Sequence, residues 1–437
     1  GVPAGVAGTL AGNRQRMTGH GKSSPGRSVR LLLGARASRS VAQGVLAVDF
    51  ALYLKSLHWA GAAIGSVLAG SMVFGVVMTI SGAIASDRFG RRRFLLGYDA
   101  IYALACLVAL LTTNTAILAG AAVIGAFGRG ANGAAGPFGS IEQAWLTQGL
   151  DPGTRSRVLS LNATLGFVGM AVGAACAILP GLVPSSIPAT DAYRPIFGIA
   201  LAAALICLGC IAMAEDRHVA LAVPPDASAE RALRQKENRN LRMLAFANFL
   251  QGTGLGLTGP LVSYWFALRF GIGPRQIAPL IATGFLLAAA SSHLTNPLSR
   301  RYGLMRVIVA LRLGALALLF VFPFAPTLAA AIGIFLLRNT LNRATNGPRS
   351  AITASLVRNQ RLGLAGTVSS VSRQIPRSVG PVVAGALFDS GMLVAPFVIG
   401  AAFQAVYLWL YQRSFHAQDP LRQAGGSPVE PRPEAAR

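Results

Sequence analysis

The sequence predicts an all-α membrane protein, with twelve transmembrane helices in two six-helix bundles, and three observations carry that expectation. The 437-residue chain is 53% hydrophobic and only 12% charged, with a mean hydropathy of +0.53, whereas an ordinary soluble domain carries about 25% charged residues. Apolar runs recur along it between short Arg-rich or Gly/Pro-containing breaks, and a spanning helix needs about 20 such residues. The basic residues, finally, sort to one side of the layout that those runs define.

Residues 1–29 are rich in Gly, Ser and Arg and lack the apolar block of a cleavable signal peptide, so they read as a disordered cytoplasmic tail. Met17 stands shortly before the first apolar run, so residues 1–16 are expected to be an artefact of start-site choice. The first bundle, 30–214, holds spans at 30–54, 61–85, 94–113, 116–147, 157–181 and 192–214. A polar stretch, 215–240, containing Pro224, Pro225 and a Glu/Arg/Lys-rich segment, reads as a central cytoplasmic loop. The second bundle, 241–413, has spans at 241–268, 275–299, 304–324, 326–356, 360–388 and 391–413, and 414–437 reads as a second disordered tail.

Cytoplasmic loops accumulate Lys and Arg. Counting Arg36 and Arg39 with the first tail and Arg349 with the tenth connection, 29 of the 39 basic residues fall on the tails and even-numbered connections. Four lie on the opposite side, and Arg129, Arg312, Arg338, Arg343, Arg373 and Arg377 fall within spans. Both termini are therefore expected in the cytoplasm and the protein in the cell (plasma or inner) membrane. Trp59, Trp145, Trp265 and Trp409 lie near span ends, where amphipathic rings favour the interface. The net charge of +24 resides in short clusters between apolar runs, without the basic amphipathic face that nucleic-acid binding requires.

The connection after the second span reads Gly82-Ala-Ile-Ala-Ser-Asp87-Arg88-Phe-Gly90-Arg91-Arg92-Arg93. Gly82 permits close helix approach, Gly90 allows a sharp reversal, and Asp87 can pair with a cation or a helix N-terminus. A degenerate copy, Ser299-Arg300-Arg301-Tyr302-Gly303 with Arg306, follows 213 residues later, which points to an internal duplication. This loop resembles the signature between the second and third helices of the major facilitator superfamily, and with the six-plus-six layout the resemblance spans nearly the whole chain. It implies a secondary transporter that alternates access to one site between the bundles, with a cytoplasmic gate at Gly82, Asp87, Arg88, Gly90, Arg91 and Arg92. Because the copy carries Arg300 in place of Asp87, an acid-dependent latch is expected to be stronger in the first half.

An ionisable side chain at a helix centre costs about 2.5–3.5 kcal/mol on insertion scales, so such residues usually face a cavity or a partner. Arg129-Gly-Ala-Asn132-Gly133 in span four resembles the superfamily's R-x-x-q-G pattern with Asn132 for Gln, and implies proton coupling at Arg129 or a structural bond to helix-end carbonyls. Asp49, in the outer half of span one, is the first candidate for proton binding, since intramembrane carboxyls serve as proton relays. Glu142, near the inner end of span four, and Asp99, in span three, are alternative proton-binding candidates, or else neutralise an arginine at the cytoplasmic interface. Arg338, Asn342, Arg343 and Asn346 in span ten, and Arg373 and Arg377 in span eleven, fall at same-face spacings. They line an anion-accepting cavity or hold a closed state. Asn248, Gln251, Tyr264 and Trp265 in span seven form a polar and aromatic wall, or glue helices together.

Gly254-x-Gly256-x-x-Gly259 lies inside an apolar run before Pro260 with no preceding strand, so it is not a dinucleotide fingerprint. Gly21-Lys22-Ser23 lacks the upstream glycine of a P-loop. Cys207 and Cys210 have no second pair or nearby His and read as small core- or lipid-facing residues. Gly166, Gly169 and Gly173 are placed for close helix packing. The expectation is a proton-coupled exporter of a small organic compound, or alternatively an importer of a small organic anion or nutrient or a transporter-like receptor that binds without moving its ligand, in each case without enzymatic activity, cofactor or metal. Its partners are a small-molecule substrate, protons and membrane lipids, with no nucleic acid, and it is monomeric.

Overall fold

The computed structural model describes residues 26–112, 114–128, 139–148, 150, 152–184, 186–215, 229–357 and 362–415. Among them are fifteen α-helices, two short 3-10 turns and no strand. The first half contains α1 (Arg27–Ser56), α2 (Gly61–Phe89), α3 (Arg91–Leu111), α4 (Thr115–Gly125), α5 (Gly139–Leu146), α6 (Pro152–Cys176) and α7 (Ala189–Met213). The second contains α8 (Ala229–Thr258), α9 (Val262–Phe270), α10 (Pro274–Tyr302), α11 (Leu304–Val321), α12 (Leu328–Ala344), α13 (Asn346–Ser355), α14 (Leu362–Asp389) and α15 (Ala395–Phe415). Counting α4–α5, α8–α9 and α12–α13 as interrupted spans gives the expected twelve.

The interruptions are where the structure departs from uninterrupted spans four, seven and ten. Span four breaks after α4, where Ala126 takes a left-handed conformation (φ 55°). Span seven breaks at Gly259-Pro260, because proline has no N–H to continue the helical ladder. Span ten breaks at Thr345, whose hydroxyl donates back to the Asn342 carbonyl at 2.7 Å. Residues 229–240, read from sequence as part of the central loop, extend α8 by three turns.

The duplication is visible in the backbone. Gly90 (φ 86°, ψ 145°) turns α2 into α3, and Gly303 (φ 88°, ψ 148°) turns α10 into α11 in nearly the same conformation. Only glycine adopts these angles without strain. We predict that Gly303→Ala lowers stability by about 1–3 kcal/mol and leaves Gly333→Ala, a control inside α12, close to wild type; equal melting temperatures for the two variants in detergent would refute the strain.

Within each bundle, small residues bring two long helices together. α1 packs on α6, where an added Cβ at Gly44 or Gly173 would run into the backbone of Met170 or Val41. α8 packs on α14 in the same way through Gly256 and Gly380. Lipid offers no hydrophobic drive for helix association, so close van der Waals contact supplies it. Trp265 is buried among Phe266, Phe270, Phe322 and Phe397 and donates its indole N–H to the Leu393 carbonyl at 3.0 Å. Trp145 is buried too, whereas Trp59 is half-buried and Trp409 is 60% exposed. Position near a span end therefore did not decide the role of these tryptophans; neighbouring helices did.

The two halves meet through α2 with α14 and α6 with α10. At the end of the bundle opposite Gly90 and Gly303, Gly61 and Gly65 of α2 touch the backbones of Gly385 and Pro381 in α14. There Asp389 caps α2 from the other half, accepting from the Gly61 N–H at 2.7 Å and the Ala62 N–H at 2.9 Å, at the helix end where a carboxylate is favourable. On the perimeter, Leu104, Leu205, Ile206, Leu313, Phe320 and Val379 are exposed, as side chains facing hydrocarbon should be. Five helical segments, Gly61–Gly82, Arg91–Leu111, Arg157–Leu182, Thr190–Met213 and Leu304–Phe324, are long and apolar enough by themselves to cross a membrane. Others, such as α1 and α12, carry arginines that the bundle buries.

Candidate functional site

In the first bundle, α1 carries Arg36 and Arg39 one turn apart, and the structure corrects their assignment to the tail: they are 2% and 5% exposed. The Arg39 guanidinium meets Asp99 of α3 in fork geometry, Nε to Oδ1 at 3.3 Å and Nη2 to Oδ2 at 2.9 Å, while Nη1 donates to Glu142 of α5. Bidentate pairing is the geometry in which arginine and carboxylate interact most strongly. Cys207 of α7 donates its thiol to Asp99 Oδ2 at 3.4 Å, and Arg36 lies within electrostatic reach of Glu142. Four helices thus close on one buried polar knot. Asp99 and Glu142 both pair with the buried Arg39.

Asp49 stands apart from this knot. Ten residues after Arg39 on α1, it is 0% exposed, and neither carboxyl oxygen has a hydrogen-bond partner among the described residues. Aromatic rings pack on the same stretch of α1: Tyr53 meets Tyr193 at a tilt and Phe197 edge-on, Phe50 meets Phe127 edge-on, and Tyr193 lies in electrostatic reach of Asp49. A buried ionised carboxylate without partners would cost several kcal/mol, so this is a place where a proton or a ligand has work to do.

The second bundle collects cations. Arg349 of α13, which the sequence reading placed in a connection, is buried at 6% exposure. It donates through Nη2 to Asn248 Oδ1 (3.1 Å) and Gln251 Oε1 (2.7 Å) of α8, and its guanidinium lies 5.5 Å from the Tyr407 ring centre and 5.8 Å from that of Tyr411. Arg312 of α11 donates to Thr345 Oγ1 at 3.0 Å and lies 5.8 Å from the same Tyr407 ring. Asn248 also donates to the Ser369 hydroxyl of α14 at 3.2 Å, so Asn248 and Gln251 both fasten helices and orient an arginine. Arg373 donates to the Ser369 carbonyl at 2.8 Å, and Arg338 to Thr258 Oγ1 at 3.4 Å. Arg343 lies between the rings of Phe167 in the first half (5.3 Å) and Phe285 in the second (5.0 Å), with Arg338 and Arg377 in electrostatic reach. Asn342 points an oxygen without a partner into this region, whereas Asn346 begins α13 at the surface.

In the motif loop, Gly82 sits where a Cβ would lie 2.8 Å from the Phe94 ring. Arg91 reaches Gln148 Oε1 at 3.3 Å, and Arg92 donates to the Ala212 carbonyl at the end of α7. The side chains of Asp87 and Arg88, and all of Arg129, Asn132 and Gly133, lie outside the described residues. Arg39, Arg312 and Arg349 are the buried cations whose importance sequence reasoning missed. The available signal was depth for Arg312, which lies two helical turns inside α11, whereas Arg39 and Arg349 fall near span ends.

Residues 32–244 match the family model described as Major Facilitator Superfamily. An uncharacterised membrane protein of Saccharomyces cerevisiae is 22% identical over 413 residues, 86% of this chain and 91% of its own length. The nucleoside transporter NupG superposes with a TM-score of 0.70 at 13% identity, over 89% of this chain and 100% of its own. A bacterial homologue of the human lysosomal transporter Spinster, in an inward-facing unoccupied conformation, gives 0.68 at 15% identity over 91% and 99%, and a D-xylose–proton symporter gives 0.66 at 12% over 88% and 96%. The sequence match through the first half and the shared architecture along nearly the entire chain identify this as a membrane protein of the major facilitator superfamily fold.

Proposed function

We propose that the protein is a proton-coupled secondary transporter that exports a small organic compound by alternating access. The observation that carries this reading is Asp49, a fully buried carboxyl in the outer half of α1 with no hydrogen-bond partner among the described residues and with Tyr193 in electrostatic reach. Gain or loss of one proton there changes the balance between two conformers only if they solvate the group differently, and a helix that packs through glycines can shift enough to do so. Placing the motif end in the cytoplasm, as the arginines suggest, the conformer described is closed on the outside by α2, α14 and the Asp389 cap. The Gly82–Arg93 loop, with Asp87 and Arg88, is assigned the reverse task of closing the cytoplasmic end.

Uptake of an organic anion together with a proton is the second reading, and one observation favours it: the buried arginines of the second bundle. Flux in proteoliposomes under an imposed pH gradient separates the two. Export predicts solute moving against the proton flow and uptake predicts movement with it. A solute flux that ignores the gradient would remove proton coupling altogether.

A further inference from the structure

We propose that the second bundle contains an oxyanion site, formed by Arg312, Arg349 and Arg373 with Tyr407 and Tyr411, that takes the carboxylate or phosphate group of the transported solute. Naming a solute rests on the transport reading above, while the site itself rests on geometry.

The argument starts from the duplication. α3 and α11 each begin immediately after a positive-φ glycine, and those glycines are 213 residues apart. The ninth residue of α3 is Asp99, and the ninth residue of α11 is Arg312, so the repeat has exchanged an acid for a base at one structural position. The first bundle answers its buried guanidinium with two of its own carboxylates. In the second, Arg312 and Arg349 are met by a threonine hydroxyl, two amide oxygens and the faces of two tyrosines. These groups orient the arginines and carry no charge. Between residues 241 and 415 the chain contains one carboxylate, Asp389, which is engaged at the far end of the molecule.

The unsatisfied atoms all have the same character. Arg312 Nη1, Arg349 Nε and the Tyr407 hydroxyl are buried without a hydrogen-bond partner among the described residues, and the three side chains belong to residues that are 4%, 6% and 1% exposed. The two guanidiniums flank one ring, that of Tyr407, and Arg373 lies in electrostatic reach of Arg349 and Arg312. Buried donors that lack acceptors are costly, and two or three cations together cost more. An oxyanion supplies several lone pairs and one or two negative charges in the fork geometry that arginine favours. It would do for this bundle what Asp99 and Glu142 do for the other.

The test reads binding without requiring transport. Purified protein in detergent is melted with citrate, inorganic phosphate or chloride at matched ionic strength, and in nanodiscs with or without cardiolipin. Citrate or phosphate should raise the melting temperature saturably. Arg312→Gln and Arg349→Gln should each weaken that response about tenfold or more, and Tyr407→Phe, which removes one hydroxyl, should weaken it severalfold. Without added anion, Arg312→Gln should melt no lower than wild type, because it removes an unpaired buried charge; a merely structural arginine predicts the opposite. Equal responses in wild type and all three variants, or no response to any anion, would overturn the site. Stabilisation by cardiolipin alone would overturn its assignment to a solute. Absence of solute flux with anion binding intact would count against the transport reading and leave the site standing.

Discussion

Asp49→Asn should leave the protein folded and inserted while abolishing flux driven by a pH gradient. Asparagine has the shape of a protonated aspartate and cannot release a proton, so the variant freezes one of the two chemical states the coupling step needs. The substitution costs little structurally, because neither carboxyl oxygen makes a hydrogen bond among the described residues that an amide would break. The measurement is solute flux in proteoliposomes at equal and at unequal pH. Exchange at equal pH should persist, since the bundles still rock about the same packed helices, while accumulation under the gradient should disappear. Accumulation that keeps its pH dependence in this variant would show that Asp49 is not the coupling group.

The second large effect concerns the polar knot of the first bundle. Arg39→Met leaves Asp99 and Glu142 buried, 2% exposed each, without the guanidinium that joins them. Breaking one side of a buried ion pair costs about 3–5 kcal/mol. Arg36, one turn away, answers part of the Glu142 charge, so the lower part of that range is expected. Replacing all three residues together, Arg39→Met with Asp99→Leu and Glu142→Leu, should recover most of the loss, because the desolvated charges then vanish as a set. Melting temperatures of the single and triple variants in the same detergent check this. A triple variant as unstable as the single one would mean that the knot contributes more than charge compensation. The contrast with Arg312, where removing a cation is expected to be harmless, follows from its lack of a carboxylate partner among the described residues.

Much of the architecture was legible in the residues themselves. Runs of about 20 apolar residues, the Arg-rich turns between them and the repeated loop motif fix an all-helical membrane fold, because hydrocarbon forces each backbone polar group into an intrahelical bond. The glycines of spans five and seven read correctly as contact points, since a missing side chain lets two helix backbones approach closely. Asp49 stood out because a carboxylate in an apolar run has few innocent explanations. Other features were not legible. Arg36, Arg39 and Arg349 fall near span ends, where hydropathy cannot distinguish a solvated arginine from one that a neighbouring helix buries. Trp265 has the sequence position of an interfacial ring and the surroundings of a core one.

What the sequence determined by itself, then, is everything that depends on local composition: which stretches are helical and apolar, where glycine lets the chain reverse, and that one half is a copy of the other. What only the tertiary structure decided is which charges meet. Arg39 finds Asp99 and Glu142 across 60 and 103 residues of chain, and the copied positions in the second bundle bring together cations with neutral neighbours. An ion pair depends on distances of a few ångströms between different helices, and that information is absent from the order of residues along any one of them.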